Sequence, residues 1–425
     1  MKNLGRNRIA SLVSLLLAAL WLFAADAHAA SPGAAQVKKV VGSVTYTDAK
    51  GGGPLTEGQI LFQGTTITTG AGSYADLNLG VNGDSLRVEA DSTLALNKLE
   101  YTRAGEIVVN TQMDVQKGAV VANVINKLSK ASKYEIKTPA GVAGIRGTAL
   151  RAGAAGVFTL SGKVEFRLNN GTLQLVIGGT VYVPGAAGVT KATAVQTSGL
   201  AQAATSCTAN TQSSAATVAN VVQQFTAAIA AEAASEAGKS GGDVAQAAAT
   251  AAKAIMAQLV AAVQTAANEA PSAIRGAAQA AAVNLVTKSE AVQATAAASA
   301  AGAAIVANGG TVQQAKTAAQ TAAVESTKTA TNPNGNTAVA TVAAANVTTG
   351  SLQTAVINRN AGGANGTTAS IIDSVVEAAK PATPGPGFGN TKVGKGKVNT
   401  TVGETATFVS PGAAGGTTTD PIQKK

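Results

Sequence analysis

One arginine of this 425-residue chain lies between residues that carry no side chain. Arg146 follows Gly144 and Ile145, and Gly147 comes directly after it. Glycine at such spacing is typical of a β-bulge or of a close backbone approach. A guanidinium held there can bind a carboxylate in a fork or donate to neighbouring carbonyl oxygens. Arg146 therefore has two candidate roles, a structural one that locks the turn and a contact with a ligand or partner. The flanking glycines favour the structural role.

Four carboxylates lie close together in the sequence, at Asp76, Asp84, Glu89 and Asp91. A calcium loop needs alternating oxygen ligands, a glycine and a distal glutamate, and the spacing here does not match that pattern. We interpret the four residues as turn carboxylates and solvated strand edges. The sequence therefore predicts no metal site and no cofactor.

The sequence contains few residues of the types that catalytic sites require. Paired carboxylates could hydrolyse a glycoside, but sugar-binding clefts usually carry aromatic side chains, and aromatic residues are 3% of the chain. A serine nucleophile without histidine needs a lysine base. Ser-Lys pairs occur at 129–130 and 132–133, but they lie on a short polar connection that looks ordinary. The sequence predicts a protein that is not an enzyme, with a hydrolase kept as the less favoured alternative.

The N-terminal segment predicts a secretory signal. Basic residues precede an apolar run over 9–25, and Ala27-His28-Ala29 matches the small-residue cleavage pattern. We expect residues 1–29 to be removed and the protein to be exported to the periplasm, cell envelope or extracellular space. An uncleaved membrane anchor is the alternative. We expect no stable transmembrane segment after cleavage.

Cleavage would remove His28, which is the one histidine of the chain, and would leave one cysteine, Cys207. Histidine-dependent catalysis, the usual zinc sites and an intramolecular disulfide are then excluded. Cys207 lies in a polar segment, residues 205–210, that we interpret as a loop. The thiol is either incidental and exposed or, less favoured, forms an intermolecular disulfide.

Residues 37–200 show the pattern of an all-β domain. Tyr134 and Ile136 alternate with Glu135 and Lys137, which is the period-2 pattern of a strand with one buried face. Turn signals recur, among them an Asn-Gly pair at 82–83 and an Asn-Asn-Gly run at 169–171. Many short strands of this kind predict a sandwich, a barrel or a stacked β-coil.

The sequence over 37–184 resembles a FecR domain. Residues 138–148 match Thr-Pro-x-Gly-Val-Ala-x-x-Arg-Gly-Thr, residues 67–79 are similar to the family's Thr-Gly-x-x-Ser segment, and residues 161–166 to its Gly-x-Val-x-Val strand. We single out eight positions of this stretch as structural residues and possible partner contacts: Thr138, Pro139, Gly141, Val142, Gly144, Arg146, Gly147 and Thr148.

The resemblance implies an exported all-β module without catalytic chemistry. In the best-known members this module follows a membrane segment and a cytoplasmic anti-sigma region, and it senses an outer-membrane transporter. Only the predicted signal peptide precedes the domain here, so we expect no direct regulation of a sigma factor. The first hypothesis is a non-enzymatic envelope protein that binds an unknown protein or cell-envelope polymer. The second is a sensor component that acts with a separate membrane or sigma-factor regulator.

Charge and composition set the remaining expectations. The formal net charge of +10 is spread along the chain rather than collected in a basic patch, so we expect no nucleic-acid partner. Alanine dominates residues 213–329, which predicts a helical region with N-caps at Asp243 and Thr311 and a helix start at Pro271. Residues 330–425 are of low complexity and are predicted to be largely disordered, with one short helix near 370–380.

Overall fold

The computed structural model describes residues 30–125, 128–212, 214–363 and 366–379. The predicted signal peptide and residues 380–425 of the predicted tail lie outside the described residues. The β-domain strands are, in chain order, β1 (Ser31–Pro32), β2 (Ala35–Val41), β3 (Val44–Asp48), β4 (Gly51–Pro54), β5 (Ile60–Leu61), β6 (Thr66–Thr69), β7 (Tyr74–Asn78), β8 (Ser85–Val88), β9 (Thr93–Ala104), β10 (Glu106–Lys117), β11 (Ala119–Asn123), β12 (Lys133–Thr138), β13 (Gly141–Ile145), β14 (Ala149–Gly153), β15 (Gly156–Ser161), β16 (Lys163–Leu168), β17 (Leu173–Ile177), β18 (Thr180–Tyr182) and β19 (Val189–Lys191).

Two sheets form the β-domain in the described part of the chain. Sheet 1 has the strand order β17-β16-β13-β12-β10-β9-β6-β3-β4, with β1 added beside β9, and sheet 2 has the order β19-β18-β15-β14-β11-β8-β7-β2-β5. From β6 onward the chain alternates between the sheets, usually two strands at a time. The pair β10 and β12 is parallel because β11 crosses to sheet 2 between them. The prediction of a β-rich domain is confirmed.

The core of the β-domain lies between the two sheets. Ile67 and Ile136 of sheet 1 and Leu77 and Val120 of sheet 2 are fully buried in one apolar cluster. In β12 the buried residues alternate with exposed or half-exposed ones, as the period-2 pattern predicts. Both turn signals also hold: β7 pairs with β8 across the Asn-Gly turn, and β16 pairs with β17 across the Asn-Asn-Gly turn.

The helical region begins earlier than the sequence predicts. Its helices are α1 (Ala194–Thr211), α2 (Ala215–Lys239), α3 (Val244–Asn268), α4 (Ser272–Ala307), α5 (Val312–Thr327), α6 (Thr337–Ala345), α7 (Thr349–Ala361) and α8 (Thr368–Ala378). A capping box between Thr193 and Gln196 starts α1. Cys207 therefore lies in a helix and is buried, which corrects its interpretation as an exposed loop residue.

The predicted helix caps of the central region are confirmed. The Asp243 side chain accepts a hydrogen bond from the Gln246 N–H at 3.0 Å, and Thr311 forms a capping box with Gln314. Pro271 directly precedes α4. Alanine side chains fill much of the buried surface between α2, α4 and α5, because their small size lets the helices approach closely.

Residues 330–379 contain three helices, where the composition predicts one. Asn336 and Thr348 cap the additional helices, α6 and α7. Buried Ala340 and Leu352 place both helices on the cluster formed with α4 and α5. Burial against neighbours explains the difference, since composition alone does not reveal a surface that is available for packing. The third helix, α8, lies where the sequence predicts one.

Two of these helices, α3 and α4, are long and apolar enough to cross a membrane by length and composition. Within the apolar stretch of each helix, 72% of α4 and 39% of α3 is buried inside the protein. The core helices of soluble proteins pass the same test. The absence of a membrane-spanning segment therefore stays a prediction.

Candidate functional site

The turn between β12 and β13 is shaped by Thr138 and Pro139. The buried Thr138 hydroxyl accepts a hydrogen bond from the Ala140 N–H at 3.3 Å and donates to the Gly141 carbonyl at 3.2 Å. The Pro139 carbonyl accepts from Asn169 Nδ2 at 2.8 Å. These bonds tie the β12–β13 turn to the neighbouring β16–β17 hairpin.

The three glycines of the stretch meet different requirements. A Cβ at Gly141 would collide with the carbonyl oxygen of Arg167 on β16, so that position needs glycine. Gly147 has a φ of +106°, which side chains rarely adopt. A Cβ at Gly144 would meet the Glu165 carbonyl oxygen at an ordinary 3.6 Å. The register of β13 is regular at Gly144, so the bulge considered from the sequence is not found there.

Arg146, Gly147 and Thr148 form the crossover between the sheets. β13 of sheet 1 ends at Ile145, and β14 of sheet 2 begins at Ala149. Thr148 is buried, and its hydroxyl lies 3.3 Å from the Lys163 carbonyl oxygen, to which it donates. We call residues 146–148 the signature crossover. Val142, the remaining residue singled out, lies half-buried in the middle of β13.

Arg146 is exposed and bonds to backbone oxygens. Its Nη1 donates to the Lys130 carbonyl at 2.9 Å and lies 3.4 Å from the Ser129 carbonyl oxygen. The guanidinium thereby holds the connection before β12 against the signature crossover. These bonds are the kind that the structural role requires, while the exposed guanidinium also leaves a face accessible to a partner.

Replacing Arg146 with alanine is expected to lower the free energy of unfolding by about 1 kcal/mol, because two exposed carbonyl contacts are lost. Thermal melting followed by circular dichroism measures the change. Arg146→Lys keeps the charge but loses the planar fork, so we expect an intermediate melting temperature. Unchanged stability in both variants would contradict a structural role.

Two cavities lie where the β-domain meets α2 and α8. The first, of about 250 Å³, is lined by the signature crossover, by Gln224 of α2 and by Asp373 and Glu377 of α8. The second, of about 270 Å³, is lined by the turn at 177–180, by Lys191 and Glu232, and again by Asp373. Asp373 therefore lies between the cavities.

Asp373 joins α8 to the β-domain. Its Oδ2 accepts a hydrogen bond from the Gly162 N–H at 3.0 Å. Burial raises the pKa of Asp373 to about 8. The hydrogen bond from the Gly162 N–H and the charge of Lys163 offset part of this rise, and the charge of Glu377 adds to it. Asp373 therefore holds its proton over much of the neutral range. A Cβ at Gly178 would lie 3.1 Å from Asp373 Oδ1, so the adjacent turn closes around the carboxyl.

The other acids of the second cavity are paired with lysines. Lys191 Nζ lies 3.2 Å from Glu232 Oε1 and 3.1 Å from Glu236 Oε1. Lys239 Nζ lies 2.9 Å from the same Glu236 oxygen. Burial raises the pKa of Glu232, and Lys191 offsets part of that rise. This cluster links the end of the β-domain to α2.

A second polar contact attaches the helical region to the outer face of sheet 2. Asp76 on β7 is fully buried, and its Oδ1 lies 2.6 Å from Arg87 Nε. Its Oδ2 accepts from Arg87 Nη2 at 2.8 Å and from Asn210 Nδ2 of α1 at 2.7 Å. Asp76 is thus a buried ion-pair partner, which corrects its interpretation as a solvated strand-edge carboxylate.

The surroundings of this ion pair are also polar. The Arg87 guanidinium lies 4.3 Å from the centre of the Tyr74 ring. Burial alone would lower the pKa of Arg87, but the charge and hydrogen bonds of Asp76 outweigh it and the pKa lies above its ordinary value. Burial raises the pKa of the Cys207 thiol well above its usual value, with Asp76 adding to the rise. Such a thiol is a poor nucleophile and is not accessible for an intermolecular disulfide.

The carboxylates around α8 do not form a recognisable catalytic set. Glu232 and Glu236 are engaged with lysines, and the described lining of the second cavity includes no aromatic side chain. Among the described residues, no group of three or more histidine, cysteine or carboxylate side chains could hold a metal ion.

Sequence reasoning did not single out Asp373 or Glu232. Asp373 stands between Ile371-Ile372 and Val375-Val376 in the sequence, but helical spacing places it off the stripe that these four residues form. An acid at such a position is expected on the polar side of the helix, so the local pattern does not reveal its contact with the β-domain. No local pattern marks Glu232 either.

The structure thus places the chain in the class of proteins with a two-sheet β-domain, here with a Thr-Pro-x-Gly hairpin and a Gly-Ile-Arg-Gly crossover. Residues 65–174 match the family model described as FecR protein. The chain is a FecR domain-containing protein. The family takes part in cell-surface signalling, and its members are regulatory components rather than known enzymes. No curated protein and no solved structure showed significant similarity to the chain.

Proposed function

We propose that the protein is a non-enzymatic, exported interaction protein of the cell envelope, whose FecR domain binds a protein partner or an envelope polymer near the signature crossover. The observation that carries this proposal is the position of Arg146. Its guanidinium is exposed at a cavity of about 250 Å³ where the most specific stretch of the FecR signature meets the helical region. An exposed guanidinium beside a cavity suits recognition of carboxylate or phosphate groups.

The test compares two arginine variants of the chain from Ala30 onward. Arg146→Glu reverses a charge at the signature crossover. Arg275→Glu makes the same change on α4, where an exposed arginine likewise bonds to a backbone carbonyl, that of Ala270, at 3.1 Å. Binding is measured by sedimentation with purified cell-wall polymer and by cross-linking in the cells of origin. We expect Arg146→Glu to lose at least ten-fold in retention, and Arg275→Glu to bind like the unaltered chain.

Two results would contradict the proposal. One is no retention of the unaltered chain in either assay, and the other is equal retention of the two variants. Circular dichroism of both variants separates a lost contact from a lost fold. Cell fractionation with N-terminal sequencing tests the export step, which requires a mature chain that begins after Ala29.

A second candidate function is a sensor component of cell-surface signalling that acts with a separate membrane or sigma-factor regulator. The family's role in signalling favours it. A sigma-factor or transporter gene beside the gene for this chain would support this reading, and its absence would count strongly against it.

A further inference from the structure

The last strand of sheet 1, β17, has an apolar free edge. Among the described residues no strand pairs with its outer side, which we call the β17 edge. Its sequence, Leu-Gln-Leu-Val-Ile, contains no charged residue and no proline. Leu173 is 52% exposed, and Leu175 is half-buried. Natural sheets usually protect a free edge with charges, proline or a covering segment, because an open edge pairs readily with another strand.

Four backbone groups of the β17 edge are directed away from β16. The Gly178 N–H donates to the Gly162 carbonyl at 3.0 Å, which fixes the hydrogen-bonded positions of this strand pair. Antiparallel strands exchange hydrogen bonds at every second residue. The N–H and C=O groups of Leu173 and Leu175 therefore point to the open side. The last residue of β17 is closed in another way, because its N–H and C=O both bond to the Thr180 hydroxyl.

The other edges of the two sheets are protected. Sheet 1 ends on its opposite side at β4, whose Pro54 has no N–H to offer a further strand. The edge strands of sheet 2, β5 and β19, have only two and three residues. Proline and short strands both limit edge-to-edge pairing. Of these four edges, only β17 has no such protection.

The order of the strands predicts what belongs beside β17. From β12 onward the chain adds antiparallel pairs to the two sheets in turn, first β12 and β13 to sheet 1, then β14 and β15 to sheet 2, β16 and β17 to sheet 1, and β18 and β19 to sheet 2. The next pair would join sheet 1 beside β17, but the chain continues into α1 at Ala194. A β-hairpin from another part of the chain would continue the pattern.

A sequence with the pattern of a β-hairpin lies beyond the described residues, at 398–409. It consists of the runs Val-Asn-Thr-Thr-Val and Thr-Ala-Thr-Phe-Val, separated by Gly403-Glu404. Eight of the ten residues in these runs are β-branched or aromatic, which favours strands. Glycine at the first position of a two-residue connection is typical of a type II′ hairpin turn. Residues 398–409 thus differ from the Gly- and Pro-rich sequence on either side of them.

This segment can reach the β17 edge. The Gly162 N–H, directly before β16, donates to Asp373 of α8, and Gly178, directly after β17, lies against the same carboxyl. Helix α8 is therefore positioned at the open end of the β16–β17 hairpin, and the described chain ends at Ala379, just after it. Residues 380–397 connect that point to the segment, and a chain of this length extends to about 60 Å.

We propose that residues 398–409 form a β-hairpin that adds to the β17 edge of the same chain and continues sheet 1. Its backbone bonds to the four open groups of Leu173 and Leu175, and its side chains cover the exposed Leu173. Main-chain hydrogen bonds of this kind give strand addition its affinity. The hairpin also closes the one unprotected edge against pairing with other chains. This inference is independent of the proposed function, because it concerns the β17 edge and not the signature crossover.

Hydrogen exchange on the chain from Ala30 through Lys425 tests the proposal. Amides within 398–409 should exchange at least 100-fold more slowly than those within 385–394. Val402→Pro removes an N–H inside the first run, so it should abolish this protection and accelerate exchange at Leu173 and Leu175 at least ten-fold. Val393→Pro makes the same change outside the segment and is the matched control, which should alter neither region.

Two changes in β17 test the same contact from the other side. Leu175→Pro removes an N–H that points away from β16 and leaves the hydrogen bonds to β16 in place. It should release residues 398–409 as Val402→Pro does, with unchanged protection in β13. In a separate variant, p-benzoylphenylalanine replaces Leu173, and irradiation should cross-link it to residues 398–409 of the same chain. Mixtures of isotopically labelled and unlabelled chains distinguish this product from a cross-link between chains.

Three outcomes would overturn the proposal. The first is exchange within 398–409 as fast as within 385–394, and the second is equal behaviour of Val402→Pro and Val393→Pro. The third is a cross-link between labelled and unlabelled chains, which would assign the β17 edge to a second copy. If Leu175→Pro unfolds, the two tail variants still decide, because they change no described residue. No step measures envelope binding, so failure here leaves the proposed function unaffected.

Discussion

Replacing Asp76 with alanine is expected to lower the free energy of unfolding by about 3–5 kcal/mol, because it leaves a buried guanidinium without its partner. The Arg87 side chain is 12% exposed, and its guanidinium donates two hydrogen bonds to the Asp76 carboxylate. The same carboxylate accepts from Asn210 of α1. The substitution should therefore weaken sheet 2 and the attachment of α1 together.

A second ion pair in the same sheet provides the matched control. Arg151 Nε lies 2.7 Å from Glu89 Oε2, but these side chains are 41% and 25% exposed. Because water solvates such a pair, Glu89→Ala should cost only about 0–1 kcal/mol. Urea unfolding followed by circular dichroism gives both values under the same conditions.

The double variant Asp76→Ala with Arg87→Met tests the cause. An apolar side chain in place of the guanidinium needs no partner, so the double variant should recover part of the stability lost in Asp76→Ala. Equal losses for Asp76→Ala and Glu89→Ala would contradict the assignment of a buried, energetically coupled pair. A double variant that is less stable than Asp76→Ala would contradict this assignment as well.

The β-domain was predictable because its signals are local. Tyr134 and Ile136 alternate with polar neighbours inside a single strand, and the Asn-Asn-Gly turn lies between the two strands it joins. A strand pattern and its turn can be recognised within about ten residues. The turn between β12 and β13 is local in the same way, since its hydrogen bonds lie mostly within residues 138–141.

The missed elements depend on contacts between distant parts of the chain. Asp76 and Arg87 become partners only when β7 and β8 pair in one register, and Asn210 comes from more than a hundred residues further along. Helix α1 carries the local capping signal at Thr193 and Gln196, but its many Ser, Thr and Asn residues are weak helix formers. Burial of that helix on sheet 2 decides its structure, and no local pattern reveals that surface.

The candidate site shows the same limit. Arg146 was identified from its neighbours, but the oxygens it contacts and the cavity beside it come from other segments. Asp373 contacts Gly162, which lies 211 residues earlier in the chain. The sequence predicts a short amphipathic helix with Asp373 off its aliphatic stripe, and only the packing of the helix shows which donor that acid meets.

Replacing Asp373 with asparagine is expected to stabilise the protein at neutral pH. The carboxyl has a pKa of about 8 in the folded protein against an ordinary value of 3.8. Between these values the folded state holds a proton that the unfolded state has released, so stability falls as pH rises, by at most about 1.4 kcal/mol per pH unit, and levels off above pH 8. Asparagine does not titrate and can still accept the hydrogen bond from the Gly162 N–H.

The charged groups around Asp373 do not reverse this sign. Lys163 of the β-domain and the Gly162 N–H favour the ionised carboxyl, whereas burial and Glu377 of α8 oppose it more strongly. Arg146 lines the first cavity together with Asp373, and Lys191 and Glu232 line the second. The Arg146 guanidinium donates to the Lys130 backbone carbonyl, and Lys191 pairs with Glu232.

Urea unfolding of Asp373→Asn and of the unaltered chain at pH 5, 6, 7 and 8 measures the effect. The gap between the two should be smallest at pH 5 and should widen toward pH 8, and exchange over 368–378 should slow in the variant. Asp114→Asn, which alters an exposed pair with Lys137 at 3.2 Å, is the matched control and should shift stability by less than about 1 kcal/mol at every pH. A gap that is constant across this range, or one that narrows toward pH 8, would show that Asp373 is ionised in the folded protein. Helix α8 would then be held to the β-domain by the charge of Lys163 as well as by the Gly162 N–H, rather than by a protonated carboxyl.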